Sequence, residues 1–189
     1  MLIYLSDLTH TGQLVASNTF PLGIGLIGAN ILREIPGVRV ELFKYPRDLD
    51  RALTREVPDV AGFANYSWTC NLGMAYAKRI KKRWPHVVVI AGGPNYGSTD
   101  EEHEDYWQRF PFVDFYIYKE GEQATVALLK HLAAAQWKTS GVDIASCHYL
   151  AAGCVKKPAL AERVKSLDDL PSPYALGLMD KFSMACSFQ

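Results

Sequence analysis

Four short clusters of polar, small and aromatic residues in this chain have the composition that chemistry or ligand binding requires. The first is Ser6-Asp7-Leu8-Thr9-His10-Thr11-Gly12, where His10 could ligate a metal centre with Asp7 orienting its ring, or act as an ordinary hydrogen-bonding loop histidine. The second is Asn65-Tyr66-Ser67-Trp68-Thr69. The third, Gly92-Gly93-Pro94-Asn95, drops two side chains in a row, which either makes a simple turn or lets a flat group slide along exposed backbone. The fourth is Glu120-Gly121-Glu122 at the start of a helical pattern. Its carboxylates suit the unpaired N–H groups and positive dipole of a helix N-terminus better than an acid/base pair, since no second catalytic group accompanies them.

Other chemistries lack their residues. Gly23-Ile-Gly25-Leu-Ile-Gly28 matches G-x-G-x-x-G, but it lies within a helix-like run and not in the tight strand-to-helix turn that a dinucleotide needs, and no P-loop is present. Cys70, Cys147, Cys154 and Cys186 show none of the close spacings that hold zinc or an iron-sulfur cluster and are too sparse for a disulfide framework, so they read as reduced structural thiols. His86, His103, His131 and His148 have no partner spacing and read as ordinary. Twenty basic residues balance twenty acidic ones, so no net field favours nucleic acid or an anionic membrane, and the basic run Lys78 to Arg83 reads as a solvated helix face. The start Met1 to Asp7 carries no basic leader, and no apolar run approaches the ~20 residues that span a bilayer. The expectation is a soluble cytoplasmic protein with no nucleic-acid or membrane partner.

The elements that must position these clusters follow from periodicity. Apolar runs at Leu2 to Leu5, Val38 to Phe43, Val60 to Ala64, Val87 to Ala91 and Val113 to Ile117 alternate with helix-like stretches such as Leu72, Tyr76, Ile80 and Trp84. That alternation predicts an α/β fold: a Rossmann-like, flavodoxin-like open sheet of five parallel strands with helices on both faces. Phe20 to Leu32 reads as an apolar helix with Pro21 as its starter and Leu22 next, packed under a ligand or against the sheet. Cys147 to Lys157 reads as a small hairpin around Ala151-Ala-Gly153, and the proline-bearing stretch after Ser166 as a linker. The predicted organisation is 1–137 for the α/β domain, 138–165 for the hairpin extension and 166–189 for the linker. In a parallel open sheet, ligands bind outside the carboxyl ends of the strands, where the four clusters fall.

Together these loops resemble the N-terminal cobalamin-binding domain of cobalamin-dependent radical SAM proteins. The resemblance runs through Asp7-Leu-Thr-His-Thr-Gly12, Phe20-Pro-Leu-Gly-Ile-Gly25, Gly62-Phe-Ala-Asn-Tyr-Ser-Trp68, Ala91-Gly-Gly-Pro-Asn95, Val113-Asp114 and Glu120-Gly-Glu122 to Ser166-Leu-Asp-Asp-Leu-Pro-Ser-Pro173, which is similar to the linker that leads into a catalytic barrel. It implies a corrinoid over the carboxyl edge of the sheet, with its nucleotide tail entering near Gly92 and Gly93. Ser6, Asp7, Thr9, His10, Thr11, Gly12, Pro21, Leu22, Tyr66, Ser67, Trp68, Pro94, Asn95, Glu120, Gly121 and Glu122 would complete the binding set. Cobalamin mutases and methionine synthases use D-x-H-x-x-G, whereas Asp7 and His10 are three apart here, so His10 is a candidate cobalt ligand that this arrangement can also leave unused. The resemblance further implies a 4Fe-4S cluster and S-adenosylmethionine in a radical SAM domain, in cis or in trans, of methyltransferase type. The C-x3-C-x2-C that holds such a cluster is not in this chain, which alone is not expected to be catalytic. The competing reading is a flavodoxin-like FMN- or nucleotide-binding protein, whose phosphate loop Thr9, Thr11 and Gly12 only partly supply. A receiver-like domain is disfavoured by Asn65-Tyr66-Ser67 where an acceptor Asp is needed.

Overall fold

A computed structural model describes residues 1–10 and 19–183. Short runs rich in β-branched and aromatic residues form the parallel strands β1 (Leu2–Ser6), β2 (Arg39–Phe43), β3 (Val60–Ala64), β4 (Val88–Gly92) and β5 (Phe115–Ile117), apolar on both faces except in the edge strand β2, where Arg39 and Glu41 share one face. Their order is β2-β1-β3-β4-β5, the flavodoxin-like arrangement, and the topology reverses between β1 and β3. Leu5 lies opposite both Leu42 and Gly62, so Ser6, Ala64, Gly92 and Ile117 end along one edge.

β5 starts two residues later than its apolar run. Asp114 turns its carboxylate back to accept from Val89 N–H at 2.7 Å and from Lys81 Nζ at 2.6 Å. Lys81 is therefore half-buried and tethered, unlike the solvated face expected of the basic run.

The hairpin forms as β6 (Cys147–Ala151) and β7 (Cys154–Lys156). It also extends the sheet to seven strands, because β6 pairs antiparallel with β5 through Tyr116 opposite His148 and Ile117 opposite Cys147. The five parallel strands thus hold, and the hairpin covers what would otherwise be an open edge at β5.

Six α-helices among the described residues cover the faces: α1 (Leu22–Glu34), α2 (Pro46–Arg55), α3 (Cys70–Arg83), α4 (Asp100–Arg109), α5 (Glu122–Ala134) and α6 (Asp180–Ser183). Alternate strand residues divide the core. Tyr4, Val89 and Tyr116 pack with α2, α3 and α4, while Ile3, Ile90 and Phe115 pack with α1 and α5. The α4 N-terminus is closed by a capping box between Thr99 and Glu102.

The proline-bearing segment returns over α1. Pro173, Met179 and Phe182 are buried, and a Cβ at Gly25 would overlap Met179 Cε, so the glycine is what admits the methionine. Arg33 donates to Asp169 O, Lys181 donates to Leu42 O, and Ser166 opens a short 3-10 turn at Leu167–Asp169. Cys186 lies outside the described residues. Among those described, Cys70 and Cys147 are buried free thiols, Cys154 is an exposed one, and no three metal-ligating side chains gather. No described helix is long and apolar enough to cross a membrane.

Candidate ligand-binding site at the carboxyl edge

Between the sheet and helices α1 and α5 lies an apolar slot of about 290 Å³. Its floor is the buried core of Ile3, Val60 and Leu129, and its walls include Ile24, Ile27 and Ile117. The slot sits where β1 and β3 diverge, at the place a flavodoxin-like order reserves for ligands. Glycines 23, 62, 92, 93 and 121 line it.

Gly93 is the glycine that the backbone demands. Its φ is +138°, and a Cβ there would stand 2.6 Å from Asn65 O. Asn65, fully buried, ties the two loops together. Its N–H donates to Gly92 O at 2.7 Å, and its Nδ2 donates to Asn95 O at 2.6 Å and to Tyr116 Oη at 3.1 Å. Tyr116 in turn donates to Gly93 O at 2.7 Å.

A second, polar hollow of about 240 Å³ adjoins the slot, since Gly23 and Tyr66 line both. Asp7, Thr9, Lys44 and Thr69 supply its polar groups, and Pro21, Leu22 and Trp68 its apolar ones. The loop after β1 keeps pairing with the chain beyond β2, through Asp7 N–H to Phe43 O and Thr9 N–H to Lys44 O, each at 2.9 Å. This pairing draws Thr9 under the surface. Ser6 and Thr9 are 2% and 4% exposed, yet neither hydroxyl has a hydrogen-bond partner among the described residues, which is costly unless something else supplies one. Burial holds the Asp7 carboxyl above its ordinary range, with Lys44 pulling the other way. Burial and then the Asp7 charge raise the Tyr66 phenol. At the rim, Trp68 is 63% exposed and stacks on Tyr66 at 5.0 Å and 9°.

The structure therefore brings together most of the residues chosen from sequence. Gly92, Gly93, Glu120, Gly121 and Glu122 line the slot, Asp7, Thr9, Pro21, Leu22 and Trp68 line the hollow, and Tyr66 lines both. Ser6 lies at the end of β1 beside them, and His10 is exposed. Ser67 and Pro94 are exposed and line neither cavity, whereas Asn95 lines a separate hollow with Cys70 and Arg109 on the other face of the sheet. Thr11 and Gly12 lie outside the described residues. Glu120 is a clamp as well as a slot residue: it accepts from Arg163 Nε at 2.6 Å and Val164 N–H at 3.0 Å, which lowers its carboxyl below the usual range.

Three contributors escaped sequence reasoning. Asn65 was visible only as a member of its loop, Gly23 only as part of the apolar stretch Phe20 to Gly25, and Lys44 carried no signal, because register alone brings it to the first loop. His103 and His148 are also more than isolated histidines. Their rings lie 5.3 Å apart, both beside Tyr96, in a buried cluster under α4.

No protein-family model matches the chain. It is 33% identical over 129 residues to the 2-(S-pantetheinyl)-carbapenam-3-carboxylate methyltransferase of Streptantibioticus cattleyicolor, and equally to the cobalamin-dependent radical SAM methyltransferase TokK of Streptomyces tokunonensis. Each match takes in 68% of this chain but 18% of the relative, so the chain spans under a fifth of the length of these enzymes. The cobalamin-dependent S-adenosylmethionine radical enzyme OxsB, solved with aqua-cobalamin and S-adenosylmethionine bound, superposes with a TM-score of 0.72 at 20% identity, over 96% of this chain and 25% of OxsB. The five parallel strands, the loops that converge on their carboxyl edge and this sequence likeness agree: the chain is a homologue of cobalamin-dependent radical SAM methyltransferases and has the Rossmann-like fold of a domain within them.

Proposed function

We propose that this chain is a cobalamin-binding module that presents its corrinoid to a radical SAM domain of methyltransferase type. The observation that carries the reading is the apolar, glycine-lined slot at the β1/β3 switch point, opening beside a hollow with an exposed aromatic face and the buried Thr9 hydroxyl, which has no hydrogen-bond partner among the described residues. That shape fits cobalamin, which joins a flat apolar tail to a larger disc edged with amides. The slot is near the lower end of the ~300–1,000 Å³ usual for small-molecule sites, so it suits the tail, with the disc outside.

In this reading Gly92, Gly93 and Gly121 admit the tail, Glu122 and Thr125 border it, and Ser67, Tyr66 and Trp68 face the ring. His10, exposed on the first loop, is the candidate ligand to cobalt from below. When bound, cobalamin supplies a carrier for the methyl group. The chain's own residues bind and orient the corrinoid and keep water from its tail. The 4Fe-4S cluster and S-adenosylmethionine belong to the radical SAM domain, in cis or in trans, which would cover the exposed Leu22 and Trp68. Balanced charge and free thiols support a cytoplasmic setting without nucleic-acid or membrane partners.

Titration with hydroxocobalamin followed by visible absorption tests the module. The control is Gly23→Trp: a Cβ at this exposed position of α1 meets only Tyr66 Oη, at 3.4 Å, so the bulk enters the cleft without strain in the fold. Saturable corrinoid binding that Gly23→Trp abolishes is the expected result. Retention of flavin but not corrinoid would replace this reading with the flavodoxin-like one.

A further inference from the structure

The polar hollow is not needed to house a tail, yet it is built with care. Asp7, Thr9 and Lys44 all line it, and it shares Gly23 and Tyr66 with the slot, so a ligand whose tail fills the slot can extend its periphery across the hollow. Thr9 lines it at 4% exposure, and its Oγ1 has no hydrogen-bond partner among the described residues, which points to a polar group that arrives with the ligand.

The periphery of a corrin carries carboxamides, each with an NH₂ that donates and an oxygen that accepts. The propionamides hang on the face that bears the nucleotide tail. Asp7 can accept from such an NH₂, and Thr9 Oγ1 or Lys44 can donate to its oxygen. Resting on the cobalamin reading above, we propose that Asp7, with Thr9 and Lys44, reads a propionamide of the corrin ring and so selects the fully amidated corrinoid over one bearing a free acid at that position. A carboxylate there would set like charge against Asp7 in a half-buried site and leave Asp7 without its donor.

The test is an equilibrium titration of the chain, read by corrinoid absorbance, with hydroxocobalamin and separately with each monocarboxylic acid made by hydrolysing one propionamide. One of these acids is expected to bind about tenfold or more weakly than hydroxocobalamin, the ratio that a lost charge-assisted hydrogen bond gives. Asp7→Asn, nearly isosteric and able to donate to a carboxylate, is expected to bring that ratio to within about threefold. Thr9→Val, which keeps shape and removes the hydroxyl, is expected to weaken hydroxocobalamin binding about threefold to tenfold. Equal affinity of the wild-type chain for hydroxocobalamin and every acid overturns the inference alone, as does a ratio that Asp7→Asn leaves unchanged. Absence of any corrinoid binding by the wild-type chain overturns the module reading, and this inference with it.

Discussion

At the scale of single residues, backbone and burial decide what a side chain can be. Gly93 combines a positive φ with an approach to Asn65 O that no Cβ tolerates, so Gly93→Ala is expected to cost about 2 kcal/mol or more, read as a lower urea midpoint with little change in slope. The double glycine was legible in the sequence, but its necessity was not, because that rests on a neighbour twenty-eight positions away. His148 is held neutral: burial, then the nearby His103 and Lys157, lower it from 6.5 to about 4. A histidine depressed in the fold binds its proton first in the unfolded chain, so its contribution is present above about 6.5 and lost as pH falls from there through about 4. Stability measured across that window should decline, and His148→Phe should remove up to about 3 kcal/mol of the decline. An unaltered slope in the variant would show that other groups carry it. Spacing gave no hint of this pair, since His103 and His148 meet only through the antiparallel addition of β6.

At the scale of elements, polar side chains finish what the ladders begin. Asp114 takes the place of a further β5 rung by accepting from Val89 N–H, and it also neutralises Lys81, whose ammonium reaches Val87 O at 2.8 Å. Asp114→Ala leaves a half-buried N–H and ammonium short of a partner and is expected to cost about 1–3 kcal/mol in equilibrium unfolding. Asp114→Asn keeps one acceptor and should lose less. The strand cores were readable as continuous apolar runs, the α3 stripe from its 3.6 period, and the α1 start from the proline at Pro21. Lys81 looked solvated because helical period reports a face, not the length of a lysine stem that bends back to a strand end.

At the scale of the whole molecule, the described stretch beyond the hairpin packs back onto α1 through Pro173, Met179 and Phe182. Met179 is 1% exposed against Gly25 on α1, and Met179→Ala is expected to cost about 2–4 kcal/mol and to hasten proteolysis between residues 158 and 183. Loss of stability without faster cleavage there would mean that the segment stays docked by other contacts. The segment is also clamped at Glu120 beside the slot, so the domain's site and its C-terminal stretch share one residue. The sequence by itself determined the α/β class, the five parallel strands and the loops that gather at their carboxyl edge, because alternation of apolar runs and glycine placement are local properties of the chain. Only the tertiary structure decided that Lys44 and Asn65 join the candidate site, that the hairpin extends the sheet, and that Thr9 is buried with no hydrogen-bond partner among the described residues. Those facts come from register and packing between residues far apart in sequence, and no local pattern encodes them.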